Sequence, residues 1–483
     1  MKFQTILRVL GSLSLGFSAF MLPPMALAIY LGENDWKAFL ASFLVTLFCS
    51  LMMIRADKTA STEISSREGF MIVSLVWVTI AGFGCLPYVL ANPGLSFTDS
   101  IFETISGLTT TGASIMPNIE AHSKSILLWR SITHWLGGMG IIVLGLAILP
   151  ILGIGGMELF KAEVSGPGDE DKLTPKVKDT ARILWQVYVA MTVVLLLLLL
   201  LGGMNFYDSV NHAMSTVSSG GFSTKNQSIA FYQDAYIHWV LSLFMILAGV
   251  NYYLHWYALT GRLRLVFKDS ETRVYLALIL ICSLILVIIL MAHGNYTSLQ
   301  DCIREVVFVV SATFTSTGFG LTDYTKWPMG AQMVIFAILF CGGCAGSTAG
   351  GIKVIRHVIL AKFAYQQLYL LVHPRAISRV KIADQVISSQ ILFGVLSFVV
   401  LWFGFFGLGC IALSLTGLDL LTSSSAVATC LSNIGPGLGL VGPVDNFGHI
   451  TTFAKWILSF LMLLGRLEIL TLVVLFTPVF WRD

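Results

Sequence analysis

The chain runs to 483 residues, of which 56% are hydrophobic and only 11% charged. A mean hydropathy of +0.82 excludes an ordinary soluble protein, and apolar runs of about twenty residues recur along its whole length, as bilayer-spanning helices require. The net charge is only +3, and no basic, aromatic-laced patch is present, so nucleic acid is excluded as a partner.

Lys2 and Arg8 precede an apolar run from Val9 to Leu31. Ala26-Leu27-Ala28 has the small residues of a signal-peptide cleavage site. The run is long enough to span and continues past that point, so a retained first helix is expected. A second helix is expected over Ala38–Ile54, completing an N-terminal pair (residues 1–60). A repeated unit follows. In residues 61–170 a long helix (M1, Gly69–Leu90) leads to a short apolar-faced segment, Asp99–Leu108, then to a loop and a second long helix (M2, Ser125–Leu152). The short segment cannot cross a bilayer and reads as a half-helix re-entering it. Gly137-Gly138-Met139-Gly140 in M2 allows close packing.

The same order recurs. Residues 171–270 carry M1 over Ile183–Leu201, a short segment Asp208–Val217 and M2 over Ile237–Leu259. Residues 271–375 carry M1 over Val274–His293, a short segment Leu299–Phe314 and an M2 starting near Met329. Residues 376–483 carry M1 over Gln390–Thr416, a short segment Leu420–Leu431 and M2 over Ile450–Phe476. The period of roughly 100 residues is far longer than a solenoid unit. The fold class expected is an all-α polytopic membrane protein, an N-terminal helix pair plus four M1–pore helix–M2 repeats with pseudo-fourfold symmetry around one pore.

Each short segment runs into a glycine loop rich in hydroxyls: Thr109-Thr110-Thr111-Gly112, Ser218-Ser219-Gly220-Gly221, Thr315-Ser316-Thr317-Gly318 and, more diverged, Ser432-Asn433-Ile434-Gly435. Counting back one fixed interval from each glycine gives Asp99, Asp208, Glu305 and Thr422, which are expected to cap the short helices at their starts.

A cation entering a membrane must exchange its water shell for fixed oxygens, and backbone carbonyls supply these without a permanent charge. Turning several carbonyls to one axis requires dihedrals that glycine adopts without steric cost. The four loops therefore read as one ion-selectivity filter. Its potassium-binding residues are Thr110, Thr111, Gly112, Ser219, Gly220, Gly221, Thr317, Gly318, Phe319, Ile434 and Gly435. The hydroxyls of Thr110, Thr111, Ser219 and Thr317 can line the path, and the short helices aim their partially negative ends at it.

Two further stretches belong to the same path. Cys341 to Lys353, inside the third M2, contains Gly342, Gly343, Gly346, Ser347, Thr348, Gly350 and Gly351. Each glycine costs a helix roughly 1 kcal/mol relative to alanine, and broken backbone in mid-membrane is tolerated only where protein buries it or it lines a wet cavity. The stretch reads as a gate loop below the filter, or as a packing kink. Arg466 lies midway along the last predicted helix, where insertion costs about 2.5–3.5 kcal/mol, so it must face something polar. It faces the pore as a fixed positive charge, or pairs with an acid on another helix; Glu468 points to a different face.

Lysines and arginines collect in one set of loops: Arg55, Lys58 and Arg67; Lys161, Lys172, Lys176, Lys178 and Arg182; Arg262, Arg264, Lys268 and Arg273; Arg375, Arg379 and Lys381. The alternate loops are richer in acids. The positive-inside rule then puts both termini in the cytoplasm after ten crossings of a bacterial inner membrane, with the filter opening outward. Cysteines 49, 85, 282, 302, 341, 344, 410 and 430 lie mostly in apolar runs and read as free thiols, and no metal is expected at Cys341-Gly-Gly-Cys344. His122, His134 and His212 form no ligand-spaced cluster and read as interfacial or hydrogen-bonded. No intramembrane His/Asp/Glu cluster or Ser–His pairing points to an enzyme.

At Ser106-Gly-Leu-Thr-Thr-Thr-Gly-Ala113, Gly220-Gly-Phe-Ser-Thr224, Gly342-Gly-Cys-Ala-Gly-Ser-Thr348, Asn433-Ile-Gly-Pro-Gly-Leu438, Gly465-Arg-Leu-Glu468 and Phe480-Trp-Arg482 the chain resembles the Trk/Ktr/HKT superfamily of cation channels and transporters, in its bacterial TrkH/TrkG-type branch. The resemblance covers essentially the whole length. It implies a potassium-selective pore, a homodimer in membrane lipid, and gating by a cytosolic nucleotide-binding ring protein of the TrkA type. It also implies that the broken third M2, including Lys353, is the gate loop and that Arg466 is the pore arginine. The loops keep only the central glycine of the potassium-channel pattern Thr-Val-Gly-Tyr-Gly. Sodium-preferring members of the wider family replace the first glycine with serine, so glycine at all four positions favours potassium. The alternative from the same four-repeat plan is the potassium-translocating subunit of an ATP-driven, Kdp-like pump.

Overall fold

The computed structural model describes residues 3–56, 65–148, 177–382 and 385–482. Lys58, Lys161, Lys172, Lys176 and the end of the first expected M2 (149–152) lie outside them. Among the described residues the chain is helical apart from one antiparallel hairpin, Lys381–Ile382 with Gln385–Val386.

The first helix is longer than its apolar run, extending from Phe3 to Leu31 with one tighter turn at Ala19–Met21. Gly32, at φ +69°, ends it in the left-handed conformation that stops a helix. Trp36–Arg55 returns alongside, and the two backbones meet where Gly11 packs against the Ser50 carbonyl.

The four M1 helices occupy Ser66–Gly84 (prolonged to Leu90), Val177–Leu201, Ser270–Ala292 and Ser389–Ser414. A complete capping box opens the first, Ser65 accepting from the Glu68 amide and Glu68 from that of Ser65. The short helices are Phe97–Leu108, Phe206–Val217, Leu299–Phe314 and Leu420–Leu431. Their caps are not the residues expected. Ser96, Asn205, Ser298 and Asp419 take the N-cap position, each accepting the amide hydrogen three residues on, from Asp99, Asp208, Asp301 and Thr422. A short side chain reaches that amide only from outside the helix, so Asp99, Asp208 and Thr422 sit inside the first turn. Glu305 is further in. The third short helix has 16 residues where the others have 12, and this extra turn shifts its start away from the interval shared by the others.

The M2 helices differ most from expectation. Lys124–Ile148 is continuous. The second breaks after Ala248, and Tyr252–Leu259 leaves at 106°. The third stops at Ile338 and resumes at Val354. The fourth ends at Arg466, and Leu470–Phe476 leaves at 110°. Arg466 is thus the last residue of a helix, not the middle of one. Among the described residues six helices are long and apolar enough to cross a membrane, or eight with each bent pair taken as one span; the ten crossings expected also count Lys124–Ile148 and the interrupted third M2. Their outer faces are apolar and uncovered, as at Leu280, Leu284 and Ile288 of the third M1, which is the pattern of a multi-span membrane protein.

Candidate functional site

The four glycine loops share one backbone course. Each short helix closes with the amide of Thr110, Ser219, Ser316 or Asn433 bonded to the carbonyl three residues back. These residues are all left-handed, with φ between +52° and +57°, although none is glycine. In loops one, two and four the next amide reaches five residues back, completing a Schellman-type helix end. Left-handed glycines follow at 112, 221, 318 and 435, with φ of +80°, +77°, +73° and +95°. Non-glycine residues rarely adopt such angles, and their persistence in one position of all four loops means the surroundings hold them there.

Those surroundings are the neighbouring loops. A Cβ added at Gly112 would collide with the Gly220 carbonyl oxygen, at Gly221 with that of Thr317, at Gly318 with that of Ile434, and at Gly435 with that of Thr111. The contacts run from loop one to two, three, four and back to one. The circuit closes, and every oxygen in it belongs to the residue immediately before a loop glycine. All four short helices end on this ring, bringing their partially negative termini together.

The hydroxyls are mostly engaged elsewhere. Thr111 bonds Thr109 at 2.7 Å, Thr317 bonds Thr315 at 2.8 Å, and Ser219 bonds Thr348 at 2.8 Å. Of the four expected to line the path, only Thr110 Oγ1 is buried without a partner among the described residues. Phe319, also expected in the filter, packs into an apolar cluster with Leu241 and Phe308. Its counterpart Phe222 stacks on His134 at 4.0 Å.

Buried charge braces the ring. Arg130 and Glu103 are 1% and 0% exposed and meet at 2.8 Å. Arg130 also donates to Ser114 Oγ and to the Ser223 carbonyl, both at 3.1 Å, and lies 4.0 Å over Phe222. One side chain of the first M2 thus holds loops one and two. Lys455 of the fourth M2 reaches back to Asp99 at 2.6 Å, tying the last unit to the first. Asp208 accepts from Thr224, Tyr232 and Asn205; burial works against its charge, but these bonds prevail and hold its carboxyl below the ordinary range.

Directly against the ring lies the non-helical stretch 339–353. The Gly350 amide donates to Ser316 Oγ at 2.5 Å, and Thr348 Oγ1 reaches the Val217 carbonyl at 3.1 Å as well as Ser219. Gly342 bonds Ile352 and Val354 bonds Gly343, so the stretch folds back on itself. Gly346 accepts from the Tyr252 amide, Ser347 donates to Cys344, Gly351 is left-handed at φ +72°, and Lys353 Nζ bonds the Ala349 carbonyl. Arg466, 3% exposed, donates to the Thr348 carbonyl at 2.8 Å and to Gly137 of the first M2 at 3.3 Å. Its hydrogen-bond partners are carbonyls, so the ion pair with an acid, one of the two alternatives for this residue, is absent among the described residues. Glu468 faces away from it and pairs with Arg356.

Residues 36–482 match the TrkH family, described as cation transport protein. The chain belongs to the TrkH cation transport family. It is 39% identical to the Trk system potassium uptake protein TrkH of Escherichia coli K12, over all of both chains, and 33% identical to TrkG of the same strain, over 99% of each. The crystal structure of the potassium transporter TrkH from Vibrio parahaemolyticus superposes with a TM-score of 0.92 at 36% identity, covering both chains completely.

This TrkH-family chain also carries residues that sequence reasoning passed over: Ser316 and Asn433 among the left-handed positions, the Glu103–Arg130 pair, and Glu271. The break in the second M2 had a visible signal. Gly249-Val250-Asn251 places a helix breaker two residues before a good N-cap, and Asn251 accepts the Tyr253 amide at 2.9 Å.

Proposed function

We propose that the chain takes up potassium across the bacterial cytoplasmic membrane through a selectivity filter built by its four glycine loops. The observation that carries this reading is the closed circuit of glycine–carbonyl contacts, because a ring of carbonyls at the ends of four helix dipoles is what a dehydrating cation needs. The four units then surround one pore with pseudo-fourfold symmetry. The filter opens outward, both termini are cytoplasmic, and stretch 339–353 closes the path from within. The chain works as a homodimer, and a TrkA-type nucleotide-binding ring protein in the cytosol opens it. Its likeness to potassium uptake proteins over full length supports the choice of ion.

The test is rubidium flux into liposomes holding the purified chain, in defined gradients. Passive flux without ATP, raised by the ring protein, is expected. Flux that appears only with a P-type ATPase partner would establish the Kdp-like alternative instead.

Two variants probe the closure. Removing part of 342–351 is expected to raise rubidium flux without the ring protein, since it clears material from the path; flux at or below wild type in folded protein would mark the stretch as a packing kink. Arg466→Ala removes a cation that both repels potassium in a low-dielectric passage and holds the Thr348 carbonyl. Faster flux at unchanged ion preference is expected, in protein of near-normal thermal stability because no carboxylate is stranded. Slower flux per folded molecule would refute the closing role.

A further inference from the structure

Glu271 is the second residue of the third M1 and is 6% exposed. Its Oε1 accepts two backbone amides that lie ten positions apart in sequence, Ala345 at 2.9 Å and Ile355 at 3.0 Å. Ala345 lies within the non-helical stretch, and Ile355 lies in the first turn of the helix Val354–Val372 that follows it. Between them the stretch is already joined at its base, Gly342 N–H to the Ile352 carbonyl at 2.9 Å and Val354 N–H to that of Gly343 at 3.2 Å. Cross-linked in this way, residues 342–355 form one body.

That body is held at its flank and top by Cys344 N–H to the Gly249 carbonyl at 2.8 Å, Tyr252 N–H to that of Gly346 at 3.1 Å and the Ser219 and Ser316 hydroxyls, all bonds between neutral groups, and by the Arg466 guanidinium on the Thr348 carbonyl at 2.8 Å. Glu271 contributes an ionised acceptor, and charge-assisted hydrogen bonds are roughly twice as strong as neutral ones. The Ile355 amide is also one of the first-turn donors that a helix cannot satisfy internally, at the end whose dipole favours a carboxylate.

The other side of Glu271 leads out of the membrane. Directly before it come the short helix Leu263–Lys268 and Asp269, whose side chain caps the third M1 by accepting the Thr272 amide at 2.7 Å. Arg262, Arg264, Lys268 and Arg273 make this the basic connection between the second and third units. Glu271 thus stands two residues from the end of that connection, on the helix that Asp269 caps.

We propose that Glu271 is the closed-state clamp of stretch 339–353, a positioning residue through which displacement of the basic connection at 261–269 frees the loop. The proposal rests on the reading of that stretch as the gate. Its test uses the full chain in liposomes without ring protein, comparing rubidium flux in wild type, E271Q, E271A, the loop-shortened protein, and that protein carrying E271Q. Losing both charge-assisted bonds in E271A is expected to raise flux about tenfold, with E271Q between it and wild type. E271Q keeps the side-chain shape, so it decides the matter if E271A does not fold. In the loop-shortened background E271Q is expected to add nothing. Flux in E271Q equal to wild type, where loop shortening does raise it, overturns the clamp while leaving the gate standing. An equal rise in both backgrounds also overturns it, because Glu271 would then act elsewhere. If loop shortening itself has no effect, it is the gate reading that fails.

Discussion

Gly112→Ser is expected to reduce potassium uptake by at least about tenfold and to narrow the preference for potassium over sodium. Two costs coincide at this position. A residue with a Cβ at φ +80° bears the left-handed penalty of roughly 1–2 kcal/mol. The Cβ also meets the Gly220 carbonyl oxygen, one of the four oxygens of the ring, and backbone of the next loop cannot swing aside as a flexible side chain would. The second cost is the informative one. It displaces a ring oxygen contributed by loop two, so a substitution in loop one changes the coordination offered by its neighbour. Rubidium and sodium fluxes measured on the same liposomes check this. Unchanged flux ratios in folded Gly112→Ser protein would remove loop one from the filter.

Arg130→Ala is expected to destabilise the protein by about 3–5 kcal/mol, the cost of leaving a buried carboxylate without its cation. Glu103 is 0% exposed, and without Arg130 its described donors are the Ser114 hydroxyl and the Ile115 amide. Loop two loses the guanidinium that holds the Ser223 carbonyl and covers Phe222. The double variant Arg130→Ala with Glu103→Ala is expected to recover part of the loss, since the stranded charge goes with it. Thermal unfolding of the single and double variants in detergent is the measurement. A double variant no more stable than Arg130→Ala would mean that the loss comes from loop packing and not from the buried charge.

Much of this architecture was legible because membrane helices announce themselves by length and hydropathy. Every short segment, and every M1 but the second, lies close to its expected bounds; the second M1 begins at Val177, six residues before the expected Ile183. The glycines were legible too, because one glycine slot recurs in all four loops, whereas the left-handed residues two positions before it, Thr110, Ser219, Ser316 and Asn433, were not, none being glycine. The order in which the loops meet was not, since it depends on contacts between residues far apart in the chain, such as Gly435 with Thr111. Three of the caps were misplaced by one turn, because Asp99, Asp208 and Thr422 follow the true caps Ser96, Asn205 and Asp419 by three residues, and the fourth because Leu299–Phe314 has an added turn that fixed-interval counting does not allow for. Two bends in M2 were missed for different reasons. That at Gly249 had local signals. That at Leu467 had few: Glu468 and Ile469 hold positive φ without glycine, a conformation imposed by what surrounds them, including the Glu468–Arg356 pair.

The broken M2 helices also determine where a membrane voltage would fall. From their starts to their breaks they have 14, 10 and 15 residues, or about 21, 15 and 22 Å at 1.5 Å per residue. Against a hydrocarbon core of about 30 Å, the second and fourth M2 turn aside, at 106° and 110°, before that thickness is crossed, and the third is interrupted. An electric field concentrates where a conducting path is narrow, and on the proposed reading that is the ring and the stretch beneath it. When the path is open, an ion crossing the ring falls through nearly the whole potential, about 2.3 kcal/mol per 100 mV, over a few coordination positions. With the filter opening outward, as proposed above, a cation lodged below the breaks is already at the cytosolic potential. On that proposed orientation, cations that plug the pore from the inside are expected to act with almost no dependence on voltage, whereas those that plug it from the outside, at the ring, are expected to be driven in by it.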